Sequence, residues 1–131
     1  MAYPNDQKNP AARIPVYLAG AAQLFPTPPT PFPATIAAGV TYNSGPILSG
    51  GYPGIAVAAK LNQTGIMTVQ RYMDLAGTIP VGDLLSDTMS SGNQSVIWAN
   101  DGVPFASFVV TIQNTSGALG TLSNTSILIG G

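Results

Sequence analysis

The sequence predicts an all-β protein: an antiparallel β-sandwich, jelly-roll-like or immunoglobulin-like, preceded by an extended proline-rich N-terminal arm. Three observations carry this. Short apolar runs alternate with period two and are separated by Gly, Asn, Asp and Ser clusters at spacings of roughly 8–12 residues. No stretch of useful length carries the 3.6-residue period of an amphipathic helix. Eight of the twelve prolines fall within residues 1–38, before the alternation begins. The chain therefore divides into an arm, residues 1–38, and a sandwich domain, residues 39–131.

The strongest strand signal is 104–113, Pro-Phe-Ala-Ser-Phe-Val-Val-Thr-Ile-Gln. Ala106, Phe108, Val110 and Ile112 share one face, and Phe105, Ser107, Val109, Thr111 and Gln113 the other. One wholly apolar face and one mixed face is the signature of a half-buried strand. Turn clusters at Asn100-Asp101-Gly102 and Asn114-Thr115-Ser116-Gly117 bound it, and the other strands are expected to pair around it. Before it, 40–44 and 46–49 are short apolar pieces ended by Gly50-Gly51. The run 55–61 alternates, with Ile55, Val57, Ala59 and Leu61 on one side. A short turn, Asn62-Gln63-Thr64-Gly65, leads into a second alternating run, 66–73. So short a loop predicts that the two runs form an antiparallel hairpin. Residues 78–81 read as a short strand, and 84–90 fits a strand or one helical turn. Residues 94–99 read as a strand carrying the only Trp, Trp98, and the chain closes with 117–122 and a last strand at 126–129. The inward set is predicted to include Ile55, Val57, Leu61, Phe108, Val110 and Ile112.

Charge is the unusual feature. Only 7% of residues are charged, against roughly 25% in ordinary soluble domains. There is no Glu, and the acids are Asp6, Asp74, Asp83, Asp87 and Asp101. Between Ile14 and Ala59 no residue is charged. A charged exterior normally keeps an isolated domain soluble, so this chain reads as one made to be covered by neighbours. A basic nucleic-acid-binding patch cannot be assembled from Lys8, Arg13, Lys60 and Arg71. The uncharged stretch is broken by prolines from Pro15 to Pro53, which argues against a membrane-spanning helix. A basic and then apolar leader is not written at the start.

With no His, Cys or Glu, neither a catalytic triad nor a His/Cys zinc site can be built. Asp83 and Asp87 are the nearest carboxylates in sequence, but each follows a turn-forming residue and reads as a turn or cap group. Calcium ligation by Asp74, Asp83, Asp87 and Asp101 lacks an EF-hand spacing. No catalytic residue, metal or cofactor is expected. Sequons begin at Asn62, Asn93, Asn114 and Asn124, of which roughly one or two are expected by chance, and they carry little weight here. Tyr3, Tyr17, Tyr42, Tyr52 and Tyr72 follow no period and fit core-edge or interface positions better than a sugar platform.

The arm departs from a floppy linker. Its prolines fix φ and favour extended backbone, yet it also carries Ile14, Val16, Tyr17, Leu18, Leu24, Phe25 and Phe32. An arm of this kind is expected to lie on another surface, and these seven residues are its expected partner-binding set.

Residues 2–10, Ala-Tyr-Pro-Asn-Asp-Gln-Lys-Asn-Pro, the following Ile14-Pro-Val-Tyr-Leu18, and the phrase Gly102-Val-Pro-Phe-Ala-Ser-Phe-Val-Val-Thr-Ile112 resemble small structural proteins of tailed bacteriophage virions. The resemblance implies a non-enzymatic capsid decoration (cement) protein on the virion surface. Its partners would be the major capsid protein and neighbouring copies of itself, in a symmetric homo-oligomer, with a trimer expected. A tail, neck or head-fibre base component is the alternative in the same setting. A carbohydrate-binding sandwich module for host adsorption is the alternative of another class.

Overall fold

The computed structural model describes residues 23–131. Among these residues ten strands make two antiparallel sheets that face each other across one apolar core. The first sheet is ordered β1 (Gln23–Leu24), β10 (Gly120–Gly130), β5 (Gly54–Leu61) and β8 (Gln94–Ala99), with β2 (Thr35–Ile36) also on β10. The second is ordered β3 (Thr41–Asn43), β9 (Ser107–Asn114), β6 (Gly65–Tyr72) and β7 (Pro80–Met89), with β4 (Ile47–Leu48) also on β9. The β-sandwich expected from the alternation is the observed architecture.

Alternation decides which side chains meet. Val57, Ala59 and Leu61 from β5 and Ile127 and Ile129 from β10 point inward from the first sheet. Met67 and Val69 from β6 and Phe108, Val110 and Ile112 from β9 meet them from the second. All six residues assigned to the core from sequence are buried. The organising strand is central as expected: β9 pairs with β6 along its whole length and carries β3 and β4 on its other edge. It starts later than predicted, at Ser107. Pro104 has no N–H to give a ladder, and Phe105 turns from the mixed face to pack on the core, edge-on to Phe108 at 6.3 Å.

The predicted hairpin of 55–61 with 66–73 does not form. β5 pairs with β10 and β8, whereas β6 pairs with β9 and β7, so the short turn carries the chain from one sheet to the other. The physical reason lies in the two runs. Each has one apolar face, and burying both is achieved by setting them opposite each other across the core rather than side by side. Gly65 permits the close approach of β6 to β9 at the end of the arch: a Cβ there would sit 2.5 Å from the Gln113 carbonyl oxygen.

Two pairs of predicted pieces are single strands. Residues 78–81 and 84–90 fuse into β7, bent by a bulge where Gly82 adopts a φ of 74°. Residues 117–122 and 126–129 fuse into β10, whose irregularity between Ser123 and Ser126 is accommodated by Asn124 at φ 49°.

Candidate functional site

The two sides of the sandwich are finished differently. On the β10/β3 side, the proline-rich residues 25–34 run between β1 and β2 as a strap. Thr30 N–H donates to the Ser44 carbonyl at 3.0 Å, and the Leu122 N–H to that of Ala34 at 2.9 Å. The Tyr42 hydroxyl donates to the Thr30 carbonyl, and Phe32 stacks obliquely on Tyr42 at 5.2 Å. Burial pushes the Tyr42 phenol up to about 12. β2 then delivers Ile36 into the core. The prolines suit this work because they hold extended backbone without presenting donors that would need partners.

Of the expected arm residues, Ile14, Val16, Tyr17 and Leu18 lie outside the described residues. Leu24 is half exposed and Phe25 is 70% exposed, while Phe32 packs on the chain's own core. Phe25 borders a shallow groove with Pro26, Pro28, Pro31 and Ile127.

The opposite side has no strap among the described residues, and β7 and β8 are its outermost strands. In β8, Ser95, Ile97 and Ala99 point inward and Gln94, Val96 and Trp98 outward. Val96 is 50% exposed and Trp98 73%. Across the sheet Trp98 stands level with Ala56 and then Leu128, and Val96 level with Ala58 and then Ser126. The alanines are too small to cover the indole, so Trp98 edges a shelf that Gln23, Ala56, Asn100 and Leu128 complete. On its other flank Trp98 faces a cleft toward Leu84, Leu85 and Asp87 of β7.

Two carboxylates organise the loops. Asp74 closes the β6–β7 turn, accepting from the Thr78 hydroxyl, from Thr78 N–H at 2.9 Å and from Ile79 N–H at 3.0 Å. The Thr78 hydroxyl bond, helped by the Ile79 amide, holds its carboxyl below the usual range. The turn exposes Met73, Leu75 and Ile79. Asp101 grips Arg71 through both oxygens, at 2.6 and 2.9 Å, and accepts from Val103 N–H at 3.2 Å. Arg71 is 1% exposed, its guanidinium 5.7 Å from the Phe105 ring centre, and its Nε has no partner among the described residues. The Arg71 bonds hold the Asp101 carboxyl far below its ordinary value, and Asp101 raises that of Arg71.

The turn role expected for Asp83 and Asp87 is corrected. Both lie within β7, and the inward Asp87 accepts a hydrogen bond from the buried Ser95 hydroxyl of β8. Their backbone is extended because the bulge lets one long strand run through what reads as two turns. Among the described residues no group of three or more acids, His or Cys could hold a metal ion.

Two features went unread in sequence although their parity shows them. Arg71 falls on the Met67–Val69 face, so a buried cation in need of a counterion follows. Trp98 falls opposite the Ile97 face, so it has to be outward.

No protein-family model and no curated protein matches the sequence. Among solved structures, a family 16 carbohydrate-binding module is similar at 14% identity and a TM-score of 0.46, covering 82% of this chain and 86% of that one. A family 11 carbohydrate-binding module from Clostridium thermocellum is similar at 12% identity and a TM-score of 0.38, covering 85% and 82%. A glycoside hydrolase family 43 arabinoxylan arabinofuranohydrolase from Bacillus subtilis is similar at 18% identity and a TM-score of 0.41. The alignment covers 82% of this chain and only 24% of that one. At such identities and scores nothing about this chain's ligands follows from them.

Proposed function

We propose that the chain is a non-enzymatic structural protein of a tailed-phage virion, a decoration protein that binds the assembled shell of major capsid protein and stabilises it. The observation that carries this reading is the exterior. Large apolar side chains stand exposed in separate groups: Leu24 and Phe25 at the strap, Met73, Leu75 and Ile79 at the β6–β7 turn, and Val96 and Trp98 on β8. Only 7% of the sequence is charged to offset them. Covering such surface is worth roughly 25 cal/mol per Å² of apolar area. Several separated patches suit a protein that meets more than one neighbour in a lattice, where each contact raises the effective concentration for the next.

Leu24 and Phe25, in and just after β1, are the exposed large apolar residues of the 1–38 arm among the described residues. Ile14, Val16, Tyr17 and Leu18 are proposed to touch the shell with them, while Phe32 fastens the strap to its own domain. The test is co-sedimentation of purified protein with assembled shells. The full chain is expected to bind, and a chain lacking residues 1–22 to fold yet bind much more weakly. Equal binding of the two removes the arm from the mechanism, and no binding by either removes the decoration role.

One observation favours a second reading. The Trp98 shelf, rimmed by the amides of Gln23 and Asn100, has the apolar face and polar edge that a sugar ring uses. A glycan array showing specific binding, together with no affinity for shells, would select a carbohydrate-binding module.

A further inference from the structure

The β7/β8 side of the sandwich, which has no strap among the described residues, presents two strand edges that are not alike. Free strand edges invite pairing with another chain, and proteins blunt them with bulges and inward charges. β7 carries both devices: its ladder slips at the bulge near Gly82, and Asp87 points inward to Ser95. β8 carries neither. Its six residues hold an unbroken register with β5, from Gln94 opposite Lys60 to Ala99 opposite Ile55. None of Gln94-Ser-Val-Ile-Trp-Ala99 is charged. Alternate N–H and C=O groups of an edge strand point away from its only neighbour, and no described strand takes those of β8.

We infer that the free edge of β8 is a self-association edge, at which the β8 strands of two copies pair antiparallel about a two-fold axis through Ile97. Directly opposite residues in an antiparallel pair share a face. Centring on Ile97 sets each copy's Ile97 against the other's on the core side. On the outer face it sets Val96 against the partner's Trp98 and Trp98 against the partner's Val96. Aromatic and β-branched residues are a favourable cross-strand pair. Because β8 is uncharged, pairing it with its own image sets no like charges opposite each other within the strand pair, so the strand is complementary to itself. Ala56 and Ala58, level with Trp98 and Val96 on β5, leave both side chains free to lean over the partner strand.

A six-residue strand pair buries less than the roughly 1,200 Å² of a standard stable interface. The contact is therefore a concentration-dependent dimer rather than an obligate one. It is independent of the virion reading, and it replaces the threefold expectation with a two-fold one.

Trp98 is the only Trp in the chain, so its emission reports this edge directly. Full-length protein is followed by tryptophan fluorescence and sedimentation velocity over a dilution series. Monomer at low concentration should give way to dimer as concentration rises, with the emission shifting to the blue in parallel. Val96→Lys should weaken dimerisation about tenfold or more, because a charge at an edge opposes pairing. Val96→Thr, which keeps β-branching and carries no charge, should weaken it less, and Gln113→Lys at an exposed position of β9 should leave it unchanged. Circular dichroism checks that each variant is folded. Monomer at every concentration would overturn the inference. So would a trimer indifferent to Val96→Lys, or emission already blue in the monomer, which would place the chain's own residues on the shelf. Emission that responds to added oligosaccharides while the mass stays monomeric would also overturn it and assign Trp98 to a sugar.

Discussion

Raising the pH should loosen the strap through Tyr42. Its hydroxyl is the donor to the Thr30 carbonyl, and burial raises its pKa from 10.0 to about 12. The unfolded chain therefore loses this proton first. Below pH 10 both states keep it and stability does not depend on it. Between 10 and 12 the unfolded state is progressively favoured, and above 12 the loss is complete. Halfway through that window the linkage costs about 1.4 kcal/mol. Tyr42→Phe removes the titration but also the hydrogen bond, which contributes about 1 kcal/mol at neutral pH and leaves the Thr30 carbonyl without that partner. The two urea-unfolding stabilities should therefore cross: wild type the more stable by about 1 kcal/mol at neutral pH, the Phe variant the more stable near the upper end of the window. Parallel pH profiles for the two proteins, with no crossing, would refute the claim that Tyr42 is buried by the strap and holds it.

Other consequences can be checked with the same assays. Phe108 is fully buried on the central strand, so Phe108→Ala should cost about 3–5 kcal/mol. Asp101→Asn should destabilise the 100–105 loop and the whole fold, because it leaves a buried guanidinium without its counterion. The folded carboxyl of Asp101 is depressed, so its contribution is present above the ordinary carboxylate range and fades as pH falls below it. Denaturation midpoints of Asp101→Asn should accordingly show a flatter acid limb than wild type. Gly65→Ala should be destabilising by more than about 1 kcal/mol, because the new Cβ would meet backbone rather than a yielding side chain.

What could be read from the sequence was local and periodic. The inward faces of 55–61 and 104–113 follow from parity alone, and each of their apolar residues that the structure describes as buried was on the predicted side. What could not be read was which strands pair. The short turn at 62–65 fits a hairpin or an arch equally well, and only the need to bury two apolar faces against each other chooses the arch. Gly82 and Asn124 act as interruptions in sequence but are tolerated inside β7 and β10 by positive φ. The surface was legible only as an average, a shortage of charge. Its division into a strapped side and a bare side depends on where residues 25–34 land, through Tyr42 and Ser44, and no periodicity encodes that.

The central claim is that this apolar exterior is covered in a phage particle. The most direct measurement is to purify intact particles, identify their proteins by mass spectrometry and locate this sandwich in a density map of the particle. The account predicts copies on the outer surface of the shell, with residues 1–22 reaching onto major capsid protein and Leu24 and Phe25 covered at the contact. Absence of the protein from intact particles, or a copy whose Leu24, Phe25 and Trp98 all face solvent, would contradict it.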